Sequence, residues 1–322
     1  MEQFTKHPLY GRHNIDSAMN SLWDFYKSRF ITLFLISLGM SLVVQFASSF
    51  IDMKDIQSTT DPAEMLIKIK GMMVPILGVS LINLFFTTIL QYYILYNPLD
   101  NSNNIFVSFG KSMRYFLPFL IIMILLAFFG AVAMFLGLFV LIIGAFFALL
   151  YVLTIYLIIL PVLMSEGPSI GNAISRTLTL VHRNFWSNIG WVAVFFIILI
   201  VVSLVLSGIV LLPFAGSFFR TLFNPEEATK MLDMATSPIF IAVSSLAGAV
   251  TMPLMPIFAL ILYFNGVAGE KKSESESESA RENEIKTDAG GPTKPEDGRV
   301  RVEDLYAKPY SDDHPDNPDK NV

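Results

Sequence analysis

Hydrophobic positions run without interruption through the middle of the chain, between Arg114 and Glu166. No charged side chain occurs from Tyr115 to Ser165. As one α-helix this stretch would be about 77 Å long at about 1.5 Å per residue, whereas the hydrocarbon core of a bilayer is only about 30 Å thick. The pattern therefore predicts two membrane-spanning helices joined by a turn, which we place at Gly137.

A second pattern has the period of a helix with one apolar face. Apolar residues recur at i, i+3, i+4, i+7, i+8, i+11 and i+15 in residues 15–30 and again in residues 170–185. A shorter pattern of this kind covers residues 104–115. We expect these segments to form amphipathic helices on the cytoplasmic surface of the membrane, with their apolar faces among the lipid headgroups.

Four further apolar segments have the length of a membrane-spanning helix. They cover residues 30–50, 72–96, 189–210 and 239–264. Pro253 and Pro256 lie inside the last segment. They are expected to kink or split it, because proline lacks a backbone N–H donor and clashes with the preceding turn.

Together these patterns predict an all-α integral membrane protein with six transmembrane helices. We expect three hairpins, each preceded by a cytoplasmic interfacial amphipathic helix, over residues 15–96, 104–164 and 170–264. The three units are either a true internal repeat, as in many transporter folds, or a result of hydrophobic patterning that mimics one.

The amino-acid composition supports a membrane protein and differs between the ends and the middle of the chain. Hydrophobic residues make up 53% and charged residues 15%, and the mean hydropathy is +0.57, which is typical of a polytopic membrane protein. Most of the net charge of −5 lies after Gly269, where Ser, Glu, Lys and Pro replace apolar residues. We predict a flexible N-terminus (1–14), a six-helix transmembrane domain (15–268) and a disordered acidic cytoplasmic tail (269–322).

Several function classes are disfavoured. The chain has no Cys and four His, none of them spaced to share a helix face, so thiolate chemistry and a metal site are not expected. We found no nucleophile with its base and no phosphate-binding loop, and therefore predict neither an enzyme nor a cofactor. Outside the tail the charge is near neutral, so nucleic acid is not an expected partner.

Basic residues predict the orientation, because cytoplasmic loops carry an excess of Lys and Arg. One predicted side carries Lys6, Arg12, Lys27, Arg29, Lys111, Arg114, Arg176, Arg183, Lys271 and Lys272. The other side carries Lys54, Lys68, Lys70, Arg220 and Lys230. The larger set places both termini in the cytoplasm.

Three amides are the strongest polar groups inside the predicted spans, which contain no Asp, Glu, Lys, Arg or His. They are Gln45, Asn83 and Gln91. Such groups either line a substrate path or hydrogen-bond to a neighbouring helix. The absence of ionisable side chains argues against proton-coupled transport.

Glu166 ends the central apolar stretch, and Arg176 and Arg183 share one face of the helix that follows. Two interpretations are open. The carboxylate and the arginines form a structural ion pair that fixes the interfacial helix, or the guanidinium groups bind lipid phosphates.

The residues around Glu166 also resemble a known family. The motif is Leu160-Pro161-Val162-Leu163-Met164-Ser165-Glu166-Gly167, then Ala173, Arg176, Thr177 and Leu180, then Asn184-Phe185-Trp186. It is similar to the membrane domain that precedes the catalytic domain in some bacterial glycerophosphodiester phosphodiesterases and that also occurs alone in bacterial inner-membrane proteins. In that family the interfacial helix carries Ala-x-x-Arg-Ser-x-x-Leu; Thr177 stands here where Ser is usual.

The resemblance implies a six-span fold in a bacterial inner membrane. We do not expect phosphodiesterase activity, because in this sequence only the acidic tail follows the last span. Our first interpretation is a non-enzymatic membrane scaffold or accessory factor that associates with lipids, with anionic headgroups of the cytoplasmic leaflet as partners and the tail as a tether for a protein. The alternative is a small-molecule or lipid transporter with a path between the hairpins, near Asn83 and the last span.

Overall fold

The computed structural model describes residues 2–51, 61–100, 102–212, 215–216 and 237–289. Predictions for Lys54, Arg220, Lys230 and residues 290–322 lie outside these ranges. The described helices are α1 (Ile15–Ser28), α2 (Phe30–Ser48), α3 (Pro62–Tyr96), α4 (Ile105–Leu138), α5 (Leu141–Glu166), α6 (Ile170–Arg183), α7 (Phe185–Leu211), α8 (Pro238–Thr251) and α9 (Leu254–Ala289), preceded by a 3₁₀ helix at Glu2–Lys6.

Six helical segments in the described residues are long and apolar enough to cross a membrane, with α8 and the first part of α9 forming one of them. The chain is therefore a multi-pass helical membrane protein. Large apolar side chains such as Phe128, Phe135 and Ile142 are more than half exposed on the outside of the helices. Exposure on this scale suits a surface that faces lipid.

The chain divides into two compact units, Met1–Lys271 and Lys272–Val322. The first contains all the predicted spans. The described part of the second is helical to Ala289, whereas the sequence predicts a disordered tail from residue 269. This segment is also rich in Glu, which is a good helix former, and extending an existing helix avoids the cost of nucleation.

The turn in the central apolar stretch lies where the sequence predicts it, within a few residues of Gly137. Helix α4 ends at Leu138 and α5 begins at Leu141, and the two helices pack closely along each other. A Cβ atom on Gly137 would lie 2.7 Å from the carbonyl oxygen of Gly144 and 2.8 Å from the Cα of Ala145. Glycine is required here because these neighbours are backbone atoms, which cannot move aside cheaply.

Two helix boundaries differ from the prediction. Helix α3 begins ten residues before the predicted span, because Asp61 caps it (Oδ1 to the N–H of Ala63, 3.0 Å) and Glu64 pairs with Lys68 at 3.0 Å. The predicted interfacial helix at residues 104–115 is wrong as a separate element. It forms the first turns of the continuous helix α4, capped by Asn104.

The last span is split, as its prolines predict. Helix α8 ends at Thr251 and α9 begins at Leu254, so carbonyl groups at the break lose their helical partners. The Tyr26 hydroxyl donates to the carbonyl oxygen of Val250 at 2.9 Å. Side chains from other helices thus satisfy backbone groups that lipid cannot.

The first half of α9 forms the centre of the bundle. All residues from Ile257 to Phe264 are at most 2% exposed. Phe258 stacks on Phe195 of α7, with ring centroids 4.1 Å apart and planes within 8°. Gly266 lies against Leu180 of α6. Helices α6 and α7 therefore pack on this segment.

The N-terminal segment is not the flexible tail that its polar composition predicts. Phe4, His7 and Leu9 are buried, at 1–2% exposure. The Phe4 ring contacts Tyr96 and Phe264 at centroid distances of 5.9 and 6.3 Å. A few large side chains are enough to fix this segment to the base of the bundle, which we define by Phe4, Tyr96, Met164 and Phe264.

The apolar positions of α1 and α6 are largely buried in the protein. Ala18 and Leu22 in α1, and Ala173, Leu180 and Val181 in α6, are at most 3% exposed. The sequence predicts these faces among lipid headgroups, but the helices place them against the bundle, since the same periodicity serves either environment.

Pairing between the spans only partly follows the predicted hairpins. The pair α4 and α5 packs as expected, whereas α2 packs more extensively on α8 than on α3. A Cβ atom on Gly248 of α8 would overlap the Ser41 hydroxyl of α2, so the absence of a side chain brings these two helices together. The threefold repeat stays a prediction.

Replacing Gly137 with Ala should destabilise the contact between α4 and α5 by about 1–3 kcal/mol, the usual cost of overpacking. The measurement is the free energy of unfolding in mixed detergent micelles. Gly110→Ala, in the same helix with nothing within 4 Å of its added Cβ, is the matched control and should be neutral or slightly stabilising. Equal effects of the two substitutions would contradict the packing argument.

Stability should also depend on the protonation of His7. Burial lowers the pKa of His7 from 6.5 to about 4, and its ring stays neutral while Nδ1 accepts from the N–H of Leu9 and Nε2 contacts the carbonyl oxygen of Ile94, both at 3.1 Å. Because the folded-state pKa lies below the unfolded value, the unfolded chain binds the proton first as the pH falls.

We therefore expect this contribution to stability to be complete above about pH 6.5 and to decline towards pH 4, by about 3 kcal/mol in total. Unfolding free energies of the wild type and of His7→Gln, compared from pH 7 to pH 4, test this. The variant should lose less stability over that interval; parallel curves would show that His7 does not titrate as argued.

Candidate functional site

Glu166, Arg176 and Arg183, which the sequence singles out, come together at the base of the bundle. Arg176 donates from Nε to both carboxylate oxygens of Glu166, at 3.0 and 3.1 Å. The Tyr263 hydroxyl donates to the same carboxylate at 3.0 Å. The end of α5 is thus joined to α6 and α9 through a single acidic side chain.

A second carboxylate, Glu270, completes the cluster. Arg176 donates to it from both terminal nitrogens, with Nη1 to Oε1 at 2.7 Å. Arg183 lies 3.5 Å from the same Oε1 atom and donates to the carbonyl oxygen of Gly269 at 2.9 Å. We call Glu166, Arg176, Arg183 and Glu270 the ionic cluster.

Local sequence explains how the cluster is built. Gly167 ends α5 with a φ of 114°, a left-handed conformation that glycine adopts without strain, and lets the chain turn sharply into α6. At the other end of α6, the Asn188 amide donates to the carbonyl oxygens of Leu180 and Val181, both at 3.1 Å. These carbonyls end the helix and have no helical partner.

The electrostatics of the cluster favour a structural role for Arg176. The four side chains carry two positive and two negative charges and are 16–29% exposed. Both forked edges of the Arg176 guanidinium are occupied by carboxylates. A lipid phosphate would have to displace one of them, at the cost of leaving a partly buried carboxylate unpaired.

A cavity of ≈ 360 Å³ adjoins the cluster. Its polar lining comes from Glu166, Asn172, Ser175, Arg176 and Thr179. The cavity lies at the end of a span, where polar lining is expected, and it contains both charge signs. It has hydrogen-bonding groups for a polar molecule, but the strongest of them are engaged in the ionic cluster.

The three intramembrane amides have different surroundings. Gln91 is buried and donates to the carbonyl oxygen of Pro256 at 3.3 Å, so it links α3 to α9. Gln45 and Asn83 make no side-chain hydrogen bond within the described residues. Each of these two lines a cavity instead.

The two cavities adjoin one another beside the break between α8 and α9. One, of ≈ 450 Å³, lies between α2, α7 and α8 and contains Gln45; the other, of ≈ 270 Å³, contains Asn83. Ser203 and Thr251 line both. We call the combined space the polar cleft; its further polar lining is Thr87, Tyr156, Ser207 and Ser244.

Sequence reasoning missed several residues of both sites. The predicted tail begins at residue 269 and therefore includes Glu270, although Glu270 is the first carboxylate after the last span. In the sequence, nothing distinguishes Tyr263 from the other aromatic residues that are expected near the end of a span. Ser203 and Thr251 carry no signal of their own, since hydroxyl groups in membrane helices commonly bond their own backbone, as Thr251 does to Gly248 at 3.3 Å.

The apolar helices and the clefts between them define a polytopic membrane domain, and the family comparison agrees. Residues 134–291 match the family described as the membrane domain of glycerophosphoryl diester phosphodiesterase, which confirms the resemblance seen in the sequence. The match includes Glu166, Arg176, Arg183 and Glu270 and leaves out Gln45, Asn83 and Gln91. No curated protein and no solved structure matches the chain significantly.

The coupling between Arg176 and Glu270 should exceed that of an exposed ion pair. A double-mutant cycle with Arg176→Gln and Glu270→Gln, read as unfolding free energies, should give about 1–3 kcal/mol, reduced from the buried-pair range because both groups are partly exposed. The matched control is Glu64 with Lys68, whose Glu64 is 56% exposed; its cycle should give about 0.3–0.5 kcal/mol. If the coupling energy between Arg176 and Glu270 is as small as that between Glu64 and Lys68, the cluster does not stabilise the fold.

Proposed function

We propose that this protein is a non-enzymatic accessory or scaffold protein of a bacterial inner membrane that holds a lipid or another amphiphilic molecule in its polar cleft. Both termini are proposed to lie in the cytoplasm, with the region beyond α9 available to a protein partner. The match covers a membrane domain, and phosphodiesterase activity is not part of the proposal.

The polar cleft carries the proposal. Among the described residues, the side-chain amides of Gln45 and Asn83 have no hydrogen-bond partner, and both lie in spans that face hydrocarbon. An unpaired amide in such surroundings is costly, so a ligand that supplies the missing hydrogen bonds would be stabilised there. Among the described residues, no charged side chain lines the cleft, and this supports a binding role over a catalytic one.

Basic residues at the base of the bundle support the proposed orientation and an affinity for anionic headgroups. Arg29 donates to the Asn97 side chain at 2.6 Å, and Lys111 donates to the Asn103 side chain at 3.1 Å. The Asn97 amide in turn donates to the Asn103 carbonyl oxygen at 3.0 Å. Cations from distant parts of the chain thus share one end, as the rule for cytoplasmic basic residues requires.

A second candidate function is the transport of a small molecule or lipid. It is favoured by the position of the cleft beside the broken last span, because discontinuous helices form substrate sites in many transporters. The cleft also reaches towards Gln91 through Thr87, which lines both the Asn83 cavity and a small adjoining space.

Native mass spectrometry of the gently purified full chain tests the proposal. The wild type should retain a lipid-like species in stoichiometric amount, and Ser203→Leu, which fills the point shared by the two cavities, should lose it. Ser80→Ala is the control, because Ser80 is exposed on α3 outside the cleft and its hydroxyl bonds the carbonyl oxygen of Ile76 at 2.8 Å.

A retained mixture that mirrors bulk lipid and is the same in all three proteins would contradict a ligand-holding role. The two candidate functions differ in a second readout. A transporter should accelerate movement of a fluorescent lipid between the leaflets of proteoliposomes, and an accessory protein should leave it at the rate of protein-free vesicles.

A further inference from the structure

The described lining of the polar cleft presents uncharged polar groups to a ligand. Its hydrogen-bonding side chains are amides and hydroxyls, and the described lining contains neither a carboxylate nor a cation. Amides both donate and accept hydrogen bonds, as hydroxyl groups do. The chemistry that complements this lining is therefore a neutral group that also does both, such as an alcohol.

Charged headgroups are disfavoured by the same lining. Moving a phosphate or an ammonium group from water into apolar surroundings costs far more than moving a hydroxyl, unless an opposite charge pairs with it. The guanidinium of Arg176, which has the right chemistry for a phosphate, is held by Glu166 and Glu270 in the ionic cluster.

The cleft opens sideways, on a surface that carries apolar side chains. Ser203 and Ser207 are exposed on α7, and between them Leu204 and Val205 are 67% and 59% exposed. On α8, Leu246 is 46% exposed and directly precedes the lining residue Ala247. A molecule with its polar end at the amides would place its apolar part along these side chains, within the hydrocarbon region.

The volume of the polar cleft fits a lipid headgroup together with part of its acyl chains. The larger cavity of ≈ 450 Å³ equals the liquid volume of about 15 water molecules at about 30 Å³ each. A glycerol unit with its ester groups is smaller than this, and the smaller cavity adds room on the Asn83 side.

We infer that the polar cleft binds the uncharged, hydroxyl-bearing headgroup of a diacylglycerol-type lipid that enters laterally between α2, α7 and α8. Gln45 and Asn83 would bond the free hydroxyl and the ester carbonyls, and the acyl chains would lie along α7 and α8. The inference rests on the proposed function, since it names the class of ligand for the same cleft.

Photo-crosslinking with the full chain tests which class of lipid the cleft binds. The protein is reconstituted in phosphatidylcholine vesicles that contain a photoactivatable diacylglycerol or, in parallel, phosphatidic acid with the same photoactivatable chains, which differs by its phosphate. Labelled peptides are mapped by mass spectrometry. We expect diacylglycerol to label α7 and α8, and phosphatidic acid to label them at least tenfold less.

Substitutions in the cleft should remove the labelling. Asn83→Leu and Gln45→Leu each delete an uncharged hydrogen-bonding partner worth about a tenfold change in affinity, and labelling should fall accordingly. Both sites are at least partly exposed in the spans, so leucine is tolerated, and Ser80→Ala should label like the wild type.

Two results would overturn the inference. Equal or stronger labelling by phosphatidic acid would show that the headgroup is not selected for neutrality, and labelling that survives both leucine substitutions would place the lipid elsewhere. In either case a species lost from Ser203→Leu in native mass spectrometry would leave the proposed function standing. If the wild type shows neither diacylglycerol labelling of α7 and α8 nor a retained species in native mass spectrometry, the cleft holds no lipid.

Discussion

Complete burial of the first half of α9 is the constraint on which the rest of the bundle depends. A span in a small membrane protein normally keeps one side towards lipid, but here the residues from Ile257 to Phe264 are enclosed on every side. Between helices in lipid there is little hydrophobic driving force, so close packing and hydrogen bonds must hold the enclosure. The Phe195–Phe258 stack and the Gln91–Pro256 hydrogen bond are two such contacts.

The two sites follow from this arrangement in different ways. Where α9 leaves the bundle, Glu270 is fixed in the ionic cluster, in which carboxylates and arginines satisfy each other and the net charge is zero. Where the last span is broken, the described helices leave two adjoining cavities, and the amides of Gln45 and Asn83 find no hydrogen-bond partner among the described residues. One end of the same helical span therefore serves the stability of the fold, and the other leaves room for a ligand.

Much of this fold can be predicted because the signals are local. A charge-free stretch with a central glycine specifies two spans and a turn, and the prolines specify the break in the last span. Glu166, Arg176 and Arg183 could be predicted as a group because they are close in sequence. Glu270 could not, since it lies 94 residues from Arg176, and local patterns carry no information about such pairs. The same holds for Phe4, which contacts Tyr96 and Phe264, and for His7, which contacts Ile94 across a separation of 87 residues.

The buried N-terminal segment has a consequence for biosynthesis. The backbone N–H of His13 donates to the side chain of Asn265 at 2.9 Å, across a separation of 252 residues. At about 5–20 residues per second, a ribosome needs about 13–50 s to make the chain between them. During that time the early segment lacks the part of its docking surface that Phe264 and Asn265 supply, and the earlier spans lack the helix that forms the centre of the bundle. The domain can close only when its last span has been inserted, so a ribosome that stalls before α9 leaves a set of membrane-inserted helices open to quality-control proteases.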